Sequence, residues 1–151
     1  MPIRSLWCQS RRWCTQCSTL QQGRVVSSGA AEIVRTYIRL VEARDLDGAS
    51  KFLADDVSIV FPGGRIFRSL IDQVTSSAGR FRLVEKTFGH FDVVSDGAMA
   101  TVYVHGTLDG EALDGSSFDG VRFIDRFVLH DGKIVSQMVW NDLAEVGVLP
   151  T

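Results

Sequence analysis

The sequence predicts an α+β domain over residues 29–151, with a curved antiparallel sheet wrapped around N-terminal helices. Two observations carry this reading. Apolar residues recur at helical spacing in the first half and alternate at strand spacing in the second. The strands are long enough that they must twist and curl, and amphipathic helices laid over a curled sheet leave a concave space where ligands settle.

Ser27, Ser28 and Gly29 offer a helix start with Glu32 in the first turn, and Ile33, Val34, Tyr37, Ile38, Leu40 and Val41 form its apolar side. This predicts a helix over 29–43. Asp45-Leu46-Asp47-Gly48 breaks it, and a short second helix follows over 47–54. Val57–Phe61 reads as a strand closed by Pro62-Gly63-Gly64, and Arg65–Phe67 as a short one. Ser69 caps a third helix over 70–79, with Asp72 in capping-box position. Four strands follow, over 83–94, 98–109, 119–130 and 133–141. Ser95-Asp96-Gly97 and His130-Asp131-Gly132 are hairpin turns, and Leu143–Val146 is a brief closing helix.

The 151 residues suit one domain, and 23% charged residues is ordinary for a globular chain. The net charge is −2, but residues 1–31 hold four arginines and no acid, so the remainder carries 12 basic and 18 acidic side chains, a balance of −6. An acidic body disfavours nucleic acid, and no apolar run reaches the length of a membrane span. Cys8, Cys14 and Cys17 all lie in the basic segment, so no disulfide framework holds the body, which fits a reducing, cytoplasmic setting. Cys14 and Cys17 form a C-x-x-C without two further ligands, so no metal is expected. Residues 1–28, rich in Arg and Ser, read as a disordered tail, with a mitochondrial transit peptide as the alternative.

Four stretches stand out: Tyr37-Ile38-Arg39-Leu40; Asp45-Leu46-Asp47-Gly48 followed by Phe52-Leu53-Ala54-Asp55-Asp56-Val57; Ile124-Asp125-Arg126-Phe127; and Asp131-Gly132-Lys133-Ile134. In order and spacing the chain resembles the nuclear transport factor 2-like superfamily. That group includes ketosteroid isomerases, SnoaL-like polyketide cyclases, limonene-epoxide hydrolases, scytalone dehydratase, and members that only bind or scaffold. The resemblance implies a cone-shaped fold and often a homodimer, formed here through the sheet. It does not by itself imply a reaction.

Asp125 is the sharpest residue. It shares one strand face with Val121, Phe123, Phe127 and Leu129, an acid in an apolar stripe. Burial there raises a carboxyl pKa unless the group is paired, and a neutral acid can donate to an oxyanion. Tyr37 lies among the apolar residues of the first helix. The resemblance places Tyr37 and Asp125 where ketosteroid isomerases carry an oxyanion-hole tyrosine and a protonated aspartate, an acid kept neutral by its apolar surroundings so that it can donate. It also exposes a departure, because the position of the isomerase base is Phe61. By comparison with scytalone dehydratase, His90 is the expected base, oriented by Glu42. Periodicity turns the apolar Ala98–Val104 face of its strand inward, whereas the family comparison turns Tyr103 and His105 toward the pocket; the family reading is preferred. Phe61, Phe123, Phe127, Val139 and Asn141 complete the expected substrate wall with Gln137, and Asp142 is a fallback acid or base.

These residues point to a cofactor-independent isomerase, cyclase or dehydratase acting on a small hydrophobic carbonyl compound. The rival is a non-catalytic ligand-binding or dimerisation module of the same fold, favoured by Phe61. Epoxide hydrolysis through Asp125 and Asp142 is a third option.

Overall fold

The computed structural model describes residues 23–148, with side chains from Gly29 onward. The order is α1 (Gly23–Glu42), α2 (Leu46–Ser50), β1 (Leu53–Phe61), β2 (Arg65–Phe67), α3 (Leu70–Ser77), β3 (Phe81–Asp96), β4 (Met99–Ala112), β5 (Ser117–His130) and β6 (Lys133–Asn141). The six strands form one sheet in the order β2-β1-β6-β5-β4-β3. The α+β cone is thus present. Its sheet is mixed rather than purely antiparallel, because β1 runs parallel to β6. The predicted tail lies outside the described residues up to position 22, and α1 begins at Gly23 rather than Gly29.

Local chemistry sets most boundaries. Asp45 caps α2 by accepting from the Gly48 N–H at 2.9 Å, and Ser69 caps α3 by accepting from the Asp72 N–H at 3.1 Å. The second helix ends sooner than predicted, and Leu53–Asp56 joins β1. There the Phe52 carbonyl accepts from the Ile134 N–H at 2.8 Å, so a neighbouring strand overrides local helix propensity. Asp131 (φ 48°) and Gly132 (φ 76°) make the two-residue turn between β5 and β6. Leu143–Val146 forms turns instead of the predicted helix.

The core lies between α1 and the concave face of the sheet. Val34, Tyr37 and Ile38 are buried in one cluster with Val102, Val104, Phe127, Leu129 and Ile134. Two irregularities aim its side chains. Between Val128 and Leu129 the partner jumps from Ser136 to Ile134, so Val135 is bulged and both Ile134 and Gln137 are buried. Between Phe88 and His90 the register shifts at Gly89. Beside it, a Cβ on Gly106 would lie 2.0 Å from the Thr87 carbonyl oxygen. Gly106→Ala should therefore force the strands apart and cost about 2–3 kcal/mol in a urea unfolding curve. No helix among the described residues is long and apolar enough to cross a membrane.

Candidate active site

Lys86, Asp125 and the last turns of α1 build the site. On β3, Val84, Lys86 and Phe88 follow strand alternation toward the inside and are half-buried, while Glu85 and Thr87 are exposed. On β5, Asp125 is inward with Phe123 and Phe127 and is 0% exposed. The Lys86 side chain reaches over β4 so that Nζ donates to Asp125 Oδ2, with its side chain 18% exposed. The ammonium also sits 4.3 Å from the centre of the Phe123 ring. Burial pushes the Asp125 carboxyl up from its ordinary range, and the adjacent Lys86 charge opposes that push. Asp125 Oδ1 has no hydrogen-bond partner among the described residues.

Helix α1 holds the backbone on both sides of Lys86. Glu42 Oε1 accepts from the Lys86 N–H at 2.8 Å, and Arg39 Nη1 donates to the Lys86 carbonyl oxygen at 3.3 Å. Arg39 Nη1 also pairs with Glu42 Oε2 at 2.7 Å. Tyr37 donates its hydroxyl proton to Gln137 Oε1 at 3.0 Å, and its ring meets Phe127 edge-on at 5.9 Å. Burial first and the Asp125 charge second hold the Tyr37 phenol above its ordinary value, so it stays neutral.

Several of these groups border a cavity of about 380 Å³, within the range that takes small organic ligands. Tyr37, Glu42, Lys86, Gln137 and Asn141 are on its polar wall together with Arg44, Arg80 and Arg82, and Phe61, Phe123 and Val139 form much of its apolar wall. Asp125 and Phe127 are not on the wall. Asp125 stands behind Lys86, and Phe127 is packed under Tyr37.

Several expectations change. Asp125 is not a lone neutral donor, because it accepts from Lys86. His90 is on the outer face, its side chain 68% exposed and 3.2 Å from Asp92, because the irregularity at Gly89 breaks the alternation that would have carried it inward after Lys86 and Phe88. Glu42 grips Lys86 and Arg39 instead of orienting His90. Tyr103 and His105 face outward, opposite the buried Val102 and Val104, as periodicity alone would have it. Asp142 is tied to Arg122 at 2.6 Å beside an outer groove. No group of three or more His, Cys, Asp or Glu among the described residues is placed to hold a metal ion.

Lys86 escapes the sequence reading, although its signal is present there. A lysine at the inward parity of Val84 and Phe88 is as anomalous as Asp125 among phenylalanines, and the two opposite charges answer each other.

The fold is an α+β cone of the nuclear transport factor 2-like kind. Residues 34–137 match the SnoaL-like domain, and the chain belongs to that family. An NTF2-like protein of unknown function from Burkholderia pseudomallei K96243 superposes with a TM-score of 0.69 at 22% identity, over 82% of this chain and 98% of that one. A Shewanella frigidimarina NCIMB 400 protein provisionally assigned as a ketosteroid isomerase gives 0.64 at 22% identity, over 76% and 97%. One from Jannaschia sp. CCS1, provisionally assigned as a SnoaL-like polyketide cyclase, gives 0.61 at 20% identity, over 80% and 90%. At these identities the likeness is one of fold. No curated protein sequence matches the chain.

Proposed function

We propose that the protein is a cofactor-independent acid–base enzyme, an isomerase, cyclase or dehydratase acting on a hydrophobic carbonyl compound. The observation that carries this reading is the pair of half-buried Lys86 with buried Asp125, whose ammonium reaches the wall of a largely apolar cavity. An ammonium fixed by a buried carboxylate can stabilise a developing enolate oxygen. Glu42 is the carboxylate on the same wall, held by two hydrogen bonds, and in this reading it takes the proton from the carbon beside the carbonyl. Tyr37 and Gln137 form a neutral polar pair that orients the substrate.

Deuterium exchange at the carbon next to the carbonyl of aryl ketones, followed by NMR, tests this. Wild-type protein should accelerate exchange, and Glu42→Gln and Lys86→Gln should each lower the rate about 100-fold. Exchange unchanged in both variants rejects the roles. The second reading, a binding module, draws on Phe61 at the usual base position and on the engagement of Glu42 by Arg39. It gains if ketones bind without exchange. For either reading we place the homodimer contact on the outer sheet face, where Ile124 and its cross-strand partner Trp140 are 41% and 45% exposed.

A further inference from the structure

Resting on the acid–base reading of the cavity, we infer that its ligand is an organic anion, an apolar aryl or acyl body whose single carboxylate seats at an arginine rim. The wall carries Arg44, Arg80, Arg82 and Lys86 against one acid, Glu42. That is a balance of +3 in a body whose residues from Glu32 onward sum to −6. With Lys86 held by Asp125 and Arg82 by Glu111, the uncompensated positive charge on the wall is that of Arg44 and Arg80, which draws anions and repels cations.

The charges at the opening divide into engaged and available. Lys86 is held by Asp125, Arg82 by Glu111 at 2.6 Å, and Glu42 by Arg39. Arg44 and Arg80 make no ion pair with a carboxylate among the described residues. Arg44 also holds φ at 61°, just past the end of α1, a backbone position where glycine is the usual occupant. Guanidinium forks take a carboxylate through two parallel hydrogen bonds. Phe61 and Val139 offer apolar surface for the body of the same molecule, and Lys86 lies ready for its carbonyl oxygen.

Isothermal titration of the full chain with naphthalene carboxylate and with the isosteric carboxamide tests the inference. The carboxylate should bind about tenfold more tightly, with the margin shrinking as salt is raised. In Arg44→Gly/Arg80→Gln the margin should vanish while carboxamide affinity stays the same. Arg44→Gly alone should remove part of it, and this replacement suits the left-handed backbone, so misfolding does not mimic the result. Equal affinities in wild-type protein overturn the anion and leave the cavity reading standing. A margin that survives in the double variant overturns the rim and moves the anion to Lys86. Binding of neither compound overturns the anion and the cavity reading together.

Discussion

Lys86→Met should lose about 3–5 kcal/mol of stability at neutral pH, because it strands a fully buried carboxylate without its counter-charge. Part of that loss should return in acid. Unfolded, the Asp125 carboxyl titrates at its ordinary value. In the folded variant it titrates higher, since burial still opposes charge and the ammonium that opposed burial is gone. The folded variant then holds the proton more tightly than the unfolded chain. Its stability is greatest below the ordinary carboxylate range and falls as pH rises through the raised value. Urea unfolding at mildly acidic and neutral pH reads this directly. Asp125→Asn should lose less, because Lys86 borders the cavity and can keep its charge hydrated. Lys86→Met/Asp125→Leu should recover much of the loss. An equal loss for Lys86→Met at both pH values would mean that packing, and not charge, holds the pair.

Phe127→Ala should cost about 3–5 kcal/mol, which lowers the melting temperature by about 10 °C. The side chain is 0% exposed and supports the Tyr37 ring edge-on from below. Its removal leaves a void that α1 and β5 cannot close without moving Tyr37 off Gln137. Phe127→Leu should lose less than half as much, since it refills most of the space. A thermal melt separates the two, and a loss below about 1 kcal/mol for the alanine variant would show that the site collapses freely.

Much of the fold is written in local terms. The four long strands alternate, Ser69 and Asp72 announce α3, and Asp131-Gly132 announces the last hairpin. The end of α2 is not written locally, because Leu53 is claimed by Ile134, far along the chain. The site is legible where alternation is unbroken. Asp125 and Phe123 on β5 face inward as their spacing requires. It is illegible where alternation breaks, since the shift at Gly89 depends on β4 approaching β3 and reverses the direction of His90. Preferring Tyr103 and His105 as pocket residues lets family likeness outweigh a clear apolar period in Val102 and Val104. Lys86 is easily passed over because a lysine in a strand ordinarily faces solvent, and only its partner two strands away gives it meaning.

The strand order has a consequence for how the chain comes together. β1 and β2 join the sheet solely along β6, the latest of the six strands to be synthesised. Strands β3 to β6 can zip up through successive hairpins, each closing on the one before. The β1–β2 pair can form early, but it cannot join the other strands until β6 is in place. A protein cut short before Lys133 would keep β1 paired with β2 and β3 to β5 paired with one another, yet lose the strand that joins the two sets, so a nascent or clipped chain leaves unpaired strand edges open to chaperones and proteases.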